Sequence, residues 1–189
     1  MRTQWNLVCV LAILWSAGAG WADEAHDLLE QAITAQGGAT ALAKTKVSVG
    51  KSKGTIADLN NAPFSSTVSF SAPDRMKQDL QLNIQGNDLR ILAIINGDKC
   101  SLSVNEQPQP ENPLLSQSLK AATYQREVIR LVPLKEAAYQ LQTLPETPVA
   151  GKTAVGLRVS KAGQKDISLY FDKQSHLLVR IDSRAVEPA

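Results

Sequence analysis

An α+β domain is what this sequence predicts: a curved antiparallel sheet of about nine strands, covered on one face by two helical segments. Three observations carry that prediction. Apolar residues recur at three- and four-residue spacing in one stretch near the start and again mid-chain. Between and after these stretches the apolar period is two. The alternating stretches are joined by short turn signals, which antiparallel neighbours permit and parallel ones do not.

The first helix is expected from Asp23 to Gln36. Asp23 is placed to cap its amides, and Ala25, Leu28, Leu29, Ala32 and Ile33 form its apolar face. Gly37-Gly38 ends it, because glycine accepts the left-handed conformation past a helix end. A short turn of helix, Ala39 to Lys44, follows. The period then becomes two, with a strand from Val47 to about Ala57 and a turn at Asn60-Asn61-Ala62-Pro63. Phe64, Val68 and Phe70 alternate with Ser65, Thr67, Ser69 and Ser71. After a turn at Ala72-Pro73-Asp74, Leu80, Leu82 and Ile84 alternate with Gln81, Asn83 and Gln85. Leu89 to Ile95 is apolar on both faces apart from Arg90, which suits a central strand. Asn96-Gly97 is a hairpin signal, and Leu102 and Val104 continue the pattern. Glu106 to Pro113 reads as a loop. Pro113 to Val132 reads as a helix, since proline suits a first helical position. Its imperfect apolar stripe and the Pro-rich loop before it suit a movable lid. Strands return at Tyr139 to Leu144, Ala154 to Ser160, Asp166 to Asp172 and Leu177 to Ser183.

Residues 1–22 have the features of a cleavable secretory leader. The apolar run Trp5 to Trp15 precedes the small residues Ser16 to Gly20, and the best cut is after Ala22. About eleven apolar residues cannot cross roughly 30 Å of hydrocarbon, so no permanent membrane span is expected. Cys9 sits inside the apolar run and not at its end, which argues against lipid attachment at the cut. The mature chain, residues 23–189, is then a single domain in the periplasm or outside the cell. Of 20 Lys and Arg only Arg2 falls in the leader, leaving 19 against 18 Asp and Glu. Such a balance, with the signs interspersed, leaves no nucleic-acid footprint.

No motif for catalysis or metal binding stands out, so an enzyme and a bound cofactor or metal are not expected. Cys100 is the mature chain's one cysteine and reads as a half-buried strand residue. His26 and His176 belong to no ligand cluster. What remains is apolar surface. A sheet that curls without sealing leaves a pocket lined by the inward set of its strands. Val68, Phe70, Leu80, Leu82, Leu157, Val159, Leu169 and Phe171 are the candidate lining, suited to lipid binding. A filled core built from the same residues is the competing reading.

The order of short motifs adds a resemblance. The run Leu28 to Gly38 is followed by Leu42-Ala43-Lys44, Gly54-Thr55-Ile56 and Pro73-Asp74-Arg75-Met76-Lys77. Then come Asn96-Gly97-Asp98-Lys99, Leu131-Val132-Pro133-Leu134, Gly151 to Gly156 and Leu169-Tyr170-Phe171-Asp172-Lys173. Over nearly all the mature chain this order resembles the LolA/LolB-like family of outer-membrane lipoprotein-sorting proteins, in its divergent secreted branch. The resemblance implies an incomplete antiparallel β-barrel with helices as plug and lid over an apolar cavity. It also implies a periplasmic carrier, or chaperone, that shelters lipid or lipoprotein acyl chains non-covalently during transport. Related folds act as envelope sensors, so an envelope protein is the alternative partner. Relatives have Gly and Trp where this chain has Cys100 and Ser101. They also carry further strands beyond the stretch that ends here at Glu187-Pro188-Ala189, so the family's last strands are expected to be missing and Leu177 to Ser183 to form an open edge.

Overall fold

The computed structural model describes residues 19–183. Most of the expected leader, residues 1–18, lies outside the described residues. Two helices come first, α1 (Ala19–Ala35) and α2 (Ala39–Lys44). Six strands follow in a meander: β1 (Val47–Ile56), β2 (Ala62–Ser71), β3 (Arg75–Ile84), β4 (Asn87–Asn96), β5 (Lys99–Val104) and β6 (Gln107–Pro108). Helix α3 (Pro113–Val128) and a 3₁₀ turn (Val132–Lys135) then lead to β7 (Tyr139–Val149), β8 (Lys152–Lys161), β9 (Ile167–Asp172) and β10 (Leu178–Ser183). Every strand pair is antiparallel, so the α+β class holds. The strands fall into two sheets and not one: β1 to β6 in chain order, and β10-β9-β8-β7. The break lies at α3, whose backbone satisfies its own hydrogen bonds and so offers β6 and β7 no common ladder.

Helix α1 starts four residues before the expected Asp23, because helical hydrogen bonding continues back through Ala19–Ala22. Its buried residues are Ala25, Leu28, Leu29, Ala32 and Ile33, the set its period predicts. They pack on one face of the four-stranded sheet, against Leu157, Val159, Ile167, Leu169 and Phe171. The register explains why these side chains meet. Leu157 lies opposite Leu169 and Val159 opposite Ile167, and directly opposed residues share a face. Tyr124, Val128, Leu131 and Leu134 close the same core from the mid-chain segment. Gly37 and Gly38 end α1 with φ of 107° and 87°, and the Gly38 amide donates to the Ile33 carbonyl at 2.9 Å.

In the six-stranded sheet the alternation sorts side chains cleanly. One face carries Phe64, Val68, Phe70, Met76, Leu80, Leu82, Ile84, Leu89, Ile91, Ala93, Ile95, Cys100, Leu102 and Val104, as the pairings Phe70↔Met76, Met76↔Ile95 and Ile95↔Cys100 require. The other carries mostly Ser, Thr, Lys, Asp, Gln and Asn. Helix α3 sits on the apolar face at one end only, where Leu115 and Leu119 meet Met76, Ala93 and Ile95. It ends four residues before the expected Val132. Leu131 there takes a left-handed φ of 60°, and Pro133 has no amide to continue the ladder. Its start is capped by Asn112, whose side chain accepts from the Leu115 amide at 3.1 Å.

The stretch expected as a loop over Glu106 to Pro113 contains β6. Asn105 and Glu106 both have positive φ, at 46° and 67°, and form the two-residue hairpin that returns Gln107 onto Val104. Pro108 is tolerated because β6 is an edge strand, where no amide is needed on the outer side. Among the described residues β10 is the edge strand at the far end of the second sheet. Its exposed charges are paired, Arg180 with Asp182 at 2.6 Å, and Arg180 also lies over the Tyr170 ring.

Candidate functional site

The eight residues expected to line a cavity divide between the two sheets. Val68, Phe70, Leu80 and Leu82 share the apolar face of the six-stranded sheet. Leu157, Val159, Leu169 and Phe171 are each 0% exposed in the core under α1. Each set of four is brought together, but the two sets lie on different sheets. The second is closed off from solvent, because α1 lays five apolar side chains over it.

The first set is different because its cover is partial. Val68 packs with the residues under α3, together with half-buried Cys100 and Leu102. Farther along the same face lie Phe64, Leu80, Ile84, Leu89, Ile91 and Val104, all half-buried and part of neither core cluster. Leu82 is buried among them. This stretch extends over four strands, from Phe64 on β2 to Val104 on β5. Towards β1 the floor carries only small side chains over most of its length, Ser48, Gly50, Ser52 and Gly54, with Ile56 at the strand's end. The Phe64 ring leans over Gly54, where an added Cβ would lie 3.1 Å from it. Over Gly50 an added Cβ would meet nothing within 4 Å. Polar side chains interrupt the face at Gln78, opposite Val68 and Ala93, and at Ser66, whose hydroxyl is buried and without a hydrogen-bond partner.

A second site is polar and sits where α3 meets β7 and β8. A cleft of about 280 Å³ is lined there by Asp74, Lys120, Tyr124, Glu127, Tyr139 and Lys161. Glu127 is buried and accepts from Arg130 at 2.6 Å, and Arg130 also donates to the Thr45 carbonyl at 3.3 Å. Burial, with neighbouring negative charge, pushes the Tyr124 and Tyr139 hydroxyls up to about 12. The Tyr124 hydroxyl has no hydrogen-bond partner. Sequence reasoning missed this cleft, although its signal was present: Glu127 stands beside Val128 in the apolar stripe of α3. Among the described residues no three His, Cys, Asp or Glu side chains gather in a metal-binding arrangement, and no helix is long and apolar enough to cross a membrane.

These tyrosines make alkaline stability a direct readout of the cleft. Their folded pKa values lie above the ordinary value of 10.0. The folded state therefore holds protons that the unfolded chain releases. Their contribution is complete below pH 10 and is lost as pH rises towards 12. Tyr124→Phe removes a hydroxyl that has no partner, so it is expected to leave neutral-pH stability unchanged or raised and to flatten the alkaline decline. Urea unfolding at a series of alkaline pH values, with tyrosinate absorbance followed in parallel, checks this. A decline as steep as in the unaltered chain would refute it.

No family model matches this chain, and no curated protein matches it. Among solved structures, the crystal structure of MucB in complex with MucA(peri) is similar over 84% of this chain and 48% of that one, at 16% identity and a TM-score of 0.31. The chain thus spans about half the length of that solved structure.

Proposed function

We propose that this chain is an exported, non-catalytic carrier that holds a lipid or lipoprotein acyl chain against the uncovered part of the six-stranded sheet. The observation that supports this reading is the unequal cover of two faces with the same alternation. Helix α1 fills the face of one sheet, whereas α3 protects only the Met76, Ala93 and Ile95 end of the other. An acyl chain laid across Leu80, Ile91, Leu89 and Phe64 gains about 0.8 kcal/mol per methylene buried. It needs no directional partner, which fits the run of apolar side chains Phe64, Leu80, Leu82, Leu89 and Ile91, with no charged group among them. Binding of this kind is reversible and requires no cofactor. The leader-like residues 1–22 support a periplasmic setting.

Leu80→Glu is the decisive variant, because Leu80 is half-buried and accepts a charge at less structural cost than buried Leu82. It is expected to weaken binding of a fluorescent fatty acid by about tenfold or more, equivalent to ~1.4 kcal/mol. Gln81→Glu, on the opposite face of the same strand, is expected to be silent. Equal binding by the two variants, or no binding by the unaltered chain, would overturn the proposal. Native mass spectrometry of protein isolated from the cell envelope supplies the identity of the bound lipid.

A further inference from the structure

We infer that β1 is a docking edge for an extended acidic segment of another protein, taken up as an added strand of the six-stranded sheet. This inference concerns the backbone edge of the sheet and does not rest on acyl binding. Strand β1 is 10 residues long and terminates the sheet order. Nine of those residues are exposed, Ile56 being the exception. Among the described residues, no loop, turn or side-chain hydrogen bond reaches positions 47–56 from outside the ladder. An antiparallel pair uses only every second residue's amide and carbonyl on each side, so the outward groups of β1 form a row ready to pair with another backbone. Val47 and Val49, on the polar face, are 65% and 61% exposed, the largest exposures among the big apolar side chains described.

The charge on the edge states which backbone fits. Lys51 and Lys53 project from the polar face of β1, with Lys44 and Lys46 just before the strand. None of the four makes an ion pair among the described residues. Their neighbours across the ladder are neutral, Thr67 beside Lys51 and Ser65 beside Lys53. A second copy of this chain is a poor occupant, because antiparallel pairing of two β1 strands centred on Ser52 sets Lys51 against Lys53, and centred on Lys51 sets Lys51 against itself. Like charges directly opposed across strands are unfavourable. A nucleic acid carries negative charge but no row of amides and carbonyls to complete the ladder. An acidic peptide satisfies both requirements. Its carboxylates lie beside Lys51 and Lys53, and its alternate side chains fall on the other face, in the open space over Gly50 and against the ring over Gly54. Apolar residues suit those alternate positions, since they continue the face that begins at Phe64 and Val68. The partner chemistry is therefore an extended run alternating acidic and apolar residues, a form of strand addition.

The test uses a labelled peptide of ten residues, the length of β1, alternating Glu and Val, with fluorescence anisotropy on the full chain. The Glu peptide is expected to bind at least about tenfold more tightly than a Lys–Val peptide, and its affinity to fall as salt rises. Lys51→Glu with Lys53→Glu, both at exposed positions, is expected to keep the fold by circular dichroism and to invert the preference. N-methylation of alternate backbone nitrogens of the peptide is expected to abolish binding in one of the two registers and spare it in the other. Equal binding of the Glu and Lys peptides, no binding of either, a preference that survives charge reversal, or indifference to N-methylation in both registers would each overturn the inference.

Discussion

Phe171→Ala is expected to destabilise the protein by ~3–5 kcal/mol while leaving fatty-acid binding per folded molecule unchanged. Phe171 is 0% exposed and lies opposite Val155 on the face that α1 covers. Its ring is enclosed by the same cluster as Leu29, Ile33, Leu157 and Leu169. Removing it deletes buried apolar surface and leaves a void that neighbours held in two strands and a helix cannot fill, so the transfer and cavity penalties add. Single domains have only about 5–15 kcal/mol of net stability, so the loss is a large share of the whole. Urea unfolding followed by circular dichroism gives the stability, and titration with a fluorescent fatty acid, normalised to the folded fraction, gives the binding. A stability change below ~1 kcal/mol would show the core to be open where it is described as closed. Loss of binding by folded molecules would place the ligand under α1 and remove the six-stranded sheet from consideration.

That contrast shows what alternation in a sequence can and cannot carry. Leu157, Val159, Leu169 and Phe171 have the same period as Leu80, Leu82, Leu89 and Ile91, and the period correctly assigns each set to one face of a sheet. It does not say what lies over that face. Cover depends on where a helix distant in sequence comes to rest, and α1 rests on β7 and β8, more than a hundred residues away. The split into two sheets was illegible for a related reason. Leu102-Ser103-Val104 and Tyr139-Gln140-Leu141 read alike, and nothing local shows that α3 keeps them from pairing. Local features were more legible. The apolar face of α1, its glycine stop and the first residue of α3 follow from spacing and backbone chemistry alone. Two local signals were passed over: Asn112, which caps α3, and Asn105, whose left-handed backbone turns the chain into β6. Asn112 lies inside the stretch whose prolines point to a loop, and Asn105 immediately before it.

Glu127→Ala is the other substitution with a large expected effect, about 1.5–3 kcal/mol, because it removes the charged hydrogen-bond partner of a part-buried cation. The Glu127 side chain is 9% exposed and that of Arg130 15%, and the pair closes at 2.6 Å within one turn at the end of α3. Arg130 also reaches the Thr45 carbonyl at 3.3 Å and so ties the exit of α2 to the exit of α3. Without Glu127 the guanidinium keeps that one carbonyl and loses the charge that offsets its partial burial. It must then either turn out to water, breaking the tie to Thr45, or remain poorly compensated. The pair as a unit is worth much less than either half, since desolvating two ions offsets most of their attraction. Replacing both residues together, Glu127→Leu with Arg130→Met, is therefore expected to cost clearly less than the sum of the single changes. Urea unfolding of the two single variants and the double gives the coupling directly. Additive losses would mean that the two side chains are solvated separately and that the cleft beside Tyr124 and Tyr139 is held by packing alone. A coupling of about 1 kcal/mol or more would make this pair the link between α3 and the turn that leads into β1, and so between the two sheets.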